Sequence, residues 1–528
     1  MRHALTLLLF AAAATTTLTA QHRHGAWCGT GELDVETRRE AIEIGKRIAA
    51  ERALSGRGNA TTYIPIRFKL IGNTDGTGAA SVNNLLNLMN SINVDFAPRD
   101  IQFFLDESGG QPWDYIFNDD LFTNHASFTT QLRSFKSTTA VTVYVPNDAT
   151  PPGGSGQGVT LGYYSPTNDY LVFRRQEVDG DASTASHELG HYFSLPHTFQ
   201  GWDGCSWSGT VADCNGRQIT SPVTITTAPR GGLVELVARG AGANCANAGD
   251  FFCDTQANYS FGFSYPTCDY ASAVVDRNGE ALVPDENNFM SYFQGCNPYE
   301  FSDEQAAAML GDYNSNRRIF LRRTSPGVVD PIVDTASVLS PLDGSTTPFS
   351  DAVELSWTPI ANAQYYFVQV AERRSFRTSS VVFEEIIADG RTSIVLDDLE
   401  AGAEYFFRVR PFSQTSFTSP TSTAVAFTVG TASGVDALPE AATALTVFPN
   451  PLPAGQRLQL TATAERDSEV AIDVRDLTGR LVSRSRDRFV AGPNRLNVDL
   501  AGASVPRGTY LVTVVSDSGT STRKVVID

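Results

Sequence analysis

The stretch His187-Glu188-Leu189-Gly190-His191-Tyr192-Phe193-Ser194-Leu195-Pro196-His197 constrains this chain more than any other feature. On a helix, His187 and His191 stand four residues apart and project from one face toward one point. Glu188 lies beside them, where it can polarise a metal-bound water. His197 follows six residues after His191, once the helix has turned, and offers a third nitrogen. Three protein donors and one open position are what a catalytic zinc requires, whereas a structural zinc is closed by four. The chain holds seven histidines, and three of them fall in this one stretch. That concentration argues against the alternative, a buried helical histidine pair beside a surface glutamate.

At 528 residues there is room for about three or four domains. A composition of 41% apolar residues suffices for several cores. A net charge of −18 argues against nucleic-acid partners, because phosphate contacts need a basic stripe. Residues 1–20 read as a secretory signal peptide, with Arg2 and His3 basic, Ala4 to Ala14 apolar, and Ala20 at a cleavage position. No later segment is apolar enough to span a bilayer. Export makes the seven cysteines disulfide candidates with one left over. Cys205, Cys214, Cys245, Cys253, Cys268 and Cys296 cluster after the histidines and can form up to three bridges, in a connectivity the sequence leaves open. Cys28 stands alone upstream. As a thiolate it could fill the open metal position and keep the site latent until residues 21–58, read as a pro-segment, are cut away. The alternative is a cysteine with no such role.

Residues 33–54 read as a charged amphipathic helix, and the polar break at 55–62, with Arg57 in it, as the place for trimming. Strands are expected at 64–71, 101–105, 140–145 and 169–173, and helices at 81–96 and 303–313. The glycine-rich segment 151–158 lacks the Lys-Ser/Thr of a phosphate loop. Ser183 or Thr184 is expected to cap the metal-binding helix. This order predicts an α/β (α+β) unit over 59–324, a twisted mixed sheet with the metal helix packed beneath it. His125 has no motif around it and reads as a surface or loop residue. After a linker at 325–336, residues 337–430 carry short alternating strands at sandwich spacing, with Trp357 a core aromatic and Leu399 and Tyr405 spaced as in a tyrosine corner. A second linker, 431–445, leads to a small β unit over 446–528. The expected fold class is therefore multidomain, an α/β unit followed by two all-β sandwiches.

Residues 337–430 resemble a fibronectin type III module. The ordered segments Val447-Phe448-Pro449-Asn450-Pro451, Asp476-Leu477-Thr478-Gly479-Arg480, Pro506-Arg507-Gly508-Thr509-Tyr510-Leu511 and Lys524-Val525-Val526-Ile527 resemble the C-terminal sorting domain of type IX secretion substrates. That resemblance implies handling by the type IX machinery and a secreted or cell-surface location. The histidine motif, continued by Thr198-Phe199, looks like the metzincin signature, in its pappalysin or cytophagalysin branch. Gly249-Asp250 with Asp254-Thr255, the methionine turn Asn288-Phe289-Met290-Ser291-Tyr292, and Cys28-Gly29-Thr30 are similar to further segments of that branch.

The resemblance implies a metzincin-like fold and zinc endopeptidase activity on protein or peptide substrates. His187, His191 and His197 would then bind zinc, with Glu188 as general base and Met290 as an apolar floor. Tyr292 would donate a hydrogen bond to the tetrahedral intermediate, core packing being its alternative. Asp250 and Asp254 could bind calcium or stabilise a turn. Gln256 departs from the family, where proline is frequent. Ser194 departs more, standing where the family has glycine. A left-handed serine costs roughly 1 kcal/mol, small beside metal binding of about 10 kcal/mol or more. His197 is therefore expected to reach the metal. A second hypothesis is a catalytically weak surface adhesin or binding module on the same scaffold. Glu188 favours the enzyme, because a binding module has no need of a general base.

Overall fold

A computed structural model describes residues 26–30, 35–55, 60–108, 111–153, 159–178, 183–262, 264–265, 267–327, 330–350, 352–388, 390–431, 443–453, 457–464, 466–476, 480–498, 505–516 and 519–527. The signal peptide expected at 1–20, the centre of the break at 55–62 and most of the linker at 431–445 lie outside these residues. Two compact units are present, Met1–Pro331 with Ser413–Thr418, and Ile332–Phe412 with Ser419–Asp528.

The first unit contains strands β1 (Ala26–Cys28), β2 (Thr62–Gly72), β3 (Ile101–Leu105), β4 (Trp113–Phe117), β5 (Val141–Val145), β6 (Val159–Ser165) and β7 (Tyr170–Phe173). They form one sheet in the order β1-β6-β7-β5-β2-β3, with β4 paired to the second half of β2. Every ladder is parallel except β6–β7. The central strand β5 is Val-Thr-Val-Tyr-Val and buried throughout, as a parallel strand covered on both faces must be. The helices are α1 (Val35–Ser55), α2 (Val82–Phe96), α3 (Asp119–Asn124), α4 (Thr129–Phe135), α5 (Arg175–Val178), α6 (Ser183–Tyr192) and α7 (Asp303–Asn314). Helix α2 buries Val82, Leu85, Leu86, Met89, Ile92 and Phe96 along one stripe, and α6 lies against β6 and β7. Ser183 and Thr184 are helical, not caps as expected.

Helix α1, within the segment read as pro-segment, buries Arg38, Ala41 and Gly45 on one narrow face. A Cβ at Gly45 would collide with the carbonyl oxygen of Ala307, and one at Gly311 with that of Ala41. The two helices α1 and α7 therefore meet at backbone distance, which only small residues allow. The six downstream cysteines form three bridges, Cys205–Cys214, Cys245–Cys253 and Cys268–Cys296, and Cys28 is free. Strands β8 (Cys205–Trp207), β9 (Val211–Cys214) and β10 (Arg217–Thr220) make a small antiparallel sheet in this stapled region.

In the second unit, β11 (Val338–Ser340), β13 (Val353–Trp357) and β16 (Ser393–Leu396) form one sheet. Strands β12 (Ser345–Thr346), β14 (Tyr365–Ala371), β15 (Val381–Ile387), β17 (Glu404–Phe412) and β18 (Val425–Thr428) form another. Trp357 is fully buried between them in the core. The Tyr405 hydroxyl accepts a hydrogen bond from Glu400 N at 3.2 Å, the tyrosine corner expected from the spacing. The last segment pairs β19 (Thr443–Phe448), β20 (Leu458–Ala464) and β23 (Gly492–Val498) in one sheet. Its other sheet holds β21 (Ser468–Asp476), β22 (Leu481–Phe489), β24 (Gly508–Ser516) and β25 (Gly519–Ile527). No helix among the described residues is long and apolar enough to cross a membrane.

His125, expected at the surface or in a loop, is instead fully buried. The short helical segments 119–135 fold over one face of the sheet, and His125 Nε2 lies 3.2 Å from the Tyr163 hydroxyl. Burial pushes the imidazole down to about 4, against the opposing pull of Asp148. The folded-state value lies below the unfolded one of about 6.5. The stabilising contribution of neutral His125 is thus complete above pH ~6.5 and lost as pH falls toward 4, by roughly 3 kcal/mol in all. Urea unfolding at pH 6.5 and pH 4.5 should show a smaller acid loss for His125→Phe than for the parent chain. Equal losses in both would contradict this role for the histidine.

Candidate metal centre

Helix α6 carries His187 and His191 on one buried face. Its end is a Schellman turn: Leu195 N donates to Gly190 O at 3.0 Å and Ser194 N to His191 O at 3.0 Å. Ser194 takes the left-handed conformation, φ 72°, that the turn demands. The chain reverses there and brings His197 back. His191 Nε2 lies 3.1 Å from His187 Nε2 and 3.1 Å from His197 Nε2.

Each imidazole is committed at its other nitrogen. His187 Nδ1 donates to Phe289 O at 2.6 Å, His191 Nδ1 to Leu195 O at 2.7 Å, and His197 Nδ1 to Asp203 Oδ1 at 2.8 Å. Carbonyls and carboxylates only accept, so each Nδ1 carries a proton. Burial, reinforced by the neighbouring ring, pushes His187 down to about 3 and His191 well below the ordinary value, so both are neutral. The neutral His187 and His191 therefore turn bare Nε2 lone pairs toward each other, and a cation between them removes the repulsion. Zn–N bonds of about 2.0–2.1 Å in tetrahedral geometry separate nitrogens by about 3.3 Å, close to what is seen. The Cys28 sulfur joins them, all four donor atoms lying within 4.8 Å of one another. Among the described residues this is the one group of three or more such donors.

The cysteine arrives on a strand that is not legible in the sequence. Strand β1 pairs Ala26 with Val159 and Trp27 with Thr160, then the register slips so that Cys28 stands opposite Gly162. Gly29 N donates to Gly162 O at 3.0 Å. Thr30 Oγ1 then donates to Glu188 Oε2 at 2.7 Å, while Tyr164 N reaches the same oxygen at 3.1 Å and Thr30 Oγ1 at 2.8 Å. Burial raises the proton affinity of the Glu188 carboxyl, and hydrogen bonds from Thr30 and Cys28 partly offset it. Burial and the nearby Glu188 also raise the Cys28 thiol. Thr30, Tyr164 and Asp203 are the site residues that sequence reasoning misses. A threonine after Cys-Gly has no spacing signal, though a carboxylate six residues past His197 could have been singled out.

Met290 is fully buried, and its sulfur sits directly against Gly190, between the two helical histidines. Tyr292 packs its ring against His197 at 4.8 Å and Phe199 at 4.6 Å, with its hydroxyl beside the Cys28 thiol. Burial raises that hydroxyl well above the ordinary value, keeping it a donor. Asp250 accepts from Phe252 N at 3.0 Å and Thr255 Oγ1 at 2.9 Å. Asp254 accepts from Ser302 Oγ and Glu304 N, each at 2.7 Å, at the start of α7. Both aspartates are thus engaged by protein donors.

Residues 345–428 match the fibronectin type III domain, and residues 446–528 match the secretion system C-terminal sorting domain. The chain carries a type IX export signal. Its destination is thus the cell surface or the medium. Neither matched segment reaches the histidine cluster. No curated protein matches the chain. Solved structures with some likeness include the FN1–FN3 domains of chicken CNTN1, at 12% identity over 37% of this chain and 68% of that one, TM-score 0.17. The fibronectin(III)-like modules of Clostridium thermocellum CbhA are 14% identical over 36% of this chain and 92% of that one, TM-score 0.14. Dimeric latent PorU from Porphyromonas gingivalis is 15% identical over 37% of this chain and 20% of that one, TM-score 0.15. At these TM-scores nothing follows from the likeness.

The contact of Met290 with Gly190 can be tested. Gly190→Ala should destabilise the protein by about 1–3 kcal/mol through overpacking, read as a lower urea midpoint. Adding Met290→Ala should recover part of that loss, and no recovery would place the damage elsewhere.

Proposed function

We propose that the chain is a secreted zinc-dependent endopeptidase, held latent by its own N-terminal segment. The observation that carries this reading is the convergence of three imidazole Nε2 atoms beside a buried carboxylate. Zinc bound there supplies Lewis acidity, which acidifies water and polarises a peptide carbonyl. Glu188 accepts the proton of the attacking water and hands it to the leaving amine. Burial favours that protonated state, and the Tyr164 N–H fixes the carboxylate's orientation. Tyr292 offers its hydroxyl to the oxygen that gains charge. Asp203 and the Phe289 and Leu195 carbonyls keep each imidazole in the tautomer that binds metal.

Cys28 lies in the same donor set and would supply a fourth protein ligand, closing the site to water. Thr30 at the same time engages Glu188. The N-terminal segment thus blocks the metal position and the general base together, and its removal frees both. The bond whose cleavage would release it was expected in 55–62, whose centre lies outside the described residues.

Zinc content of the full chain and its cleavage of denatured protein substrates test this directly. Cys28→Ala should raise cleavage by roughly tenfold or more, as losing even about 1.4 kcal/mol of latent preference would. A zinc chelator or an added Glu188→Ala should abolish it. Zinc-loaded Cys28→Ala protein that cuts nothing would instead favour a binding module on this scaffold.

A further inference from the structure

Ser194 occupies the one position of the Schellman turn where a side chain is disfavoured, yet the turn is intact. Its hydroxyl is buried and accepts a hydrogen bond from Arg317 Nη2 at 2.7 Å. Arg317 lies in the 3₁₀ segment Asn316–Arg322 that follows α7. The same Nη2 donates to Asp312 Oδ1 at 2.6 Å, so the guanidinium is oriented before it meets the serine. Asp312 is itself buried and takes Arg318 Nε on its other oxygen at 3.0 Å. Arg318 is fully buried, stacks 3.7 Å over the Tyr192 ring and donates to the Tyr192 carbonyl, in the last turn of α6. It also reaches Asp169, at the β6–β7 connection, and the Tyr164 hydroxyl. The Tyr164 backbone N–H is the group that holds Glu188.

We propose that Arg317 is a positioning residue for the metal centre. By clasping the Ser194 hydroxyl it makes a left-handed serine workable and sets the path that returns His197 to His187 and His191. The inference rests on the metal reading of the three histidines. It assigns Arg317 a role that depends on the residue at 194. With glycine there, the turn forms freely and the arginine becomes dispensable to the metal. With serine there, the arginine is required. Arg318, through the same Asp312, ties this turn to the strand that orients the base.

The test is a double-mutant cycle on the full chain with Cys28→Ala, using cobalt(II) as the probe. Arg317→Ala alone should weaken cobalt affinity roughly tenfold, because the buried Ser194 hydroxyl then loses its donor in a turn already unfavourable for serine, and alter the visible absorption of the bound ion. Arg317→Ala with Ser194→Gly should restore both. Arg317→Lys, which keeps the charge, should be intermediate. A metal-free readout accompanies it: hydrogen exchange of the Leu195 amide should quicken in Arg317→Ala and slow again with Ser194→Gly. Equal losses in the serine and glycine backgrounds would overturn the inference. So would unchanged affinity and exchange in Arg317→Ala. A parent chain that binds no cobalt fails the metal reading, and the exchange cycle then decides the Arg317–Ser194 coupling by itself.

Discussion

Three imidazole Nε2 atoms, with that of His191 3.1 Å from each of the other two, are the interaction on which the first unit turns. Nothing in that arrangement favours itself without a cation, so the rest of the fold must hold it in place. Each Nδ1 acceptor comes from a different part of the chain: the methionine turn, the end of α6, and the loop leading into the first disulfide. The methionine turn is in turn tied to α7, because Asn288 exchanges side-chain hydrogen bonds with Gln305 of the capping box that starts it. Disturbing any one support frees one ring to rotate and breaks the convergence.

Glu188 lives under an opposite demand. A carboxylate at 1% exposure holds its proton more tightly than one in water, and that is useful only if donors also steady the charged form. The Tyr164 N–H belongs to the sheet and is permanent, whereas the Thr30 hydroxyl belongs to the N-terminal segment. If that segment leaves as proposed, the carboxyl changes environment and the backbone donor is what persists.

Much of this was legible in the sequence because the relevant periods are strict. The four-residue histidine spacing, the apolar stripe of α2, the runs at 64–71 and 101–105, and the alternating strands around Trp357 each occupy enough residues to declare a face. The two C-terminal segments carry ordered motifs as well. What stayed hidden depends on pairing across distance. Strand β1 has three residues, too few to show alternation, and its partner lies more than a hundred positions away. Thr30 has meaning only once folding brings it to Glu188. His125 carries no pattern, so only tertiary packing could reveal its burial. Disulfide pairing was equally unreadable, since any of the six cysteines could reach another until the loops are placed.

The contact of α1 with α7 at backbone distance bears on how a cut chain behaves. Severing the connection after Ser55 removes a covalent link but leaves that helix contact, made through Gly45 and Gly311, in place. A nicked segment seated this way keeps its cysteine strand at high effective concentration beside the histidines. On the proposed reading, maturation would then require dissociation of the segment or a second cut between Thr30 and Val35. Proteolytic nicking and the loss of latency would, on that reading, be two separate events.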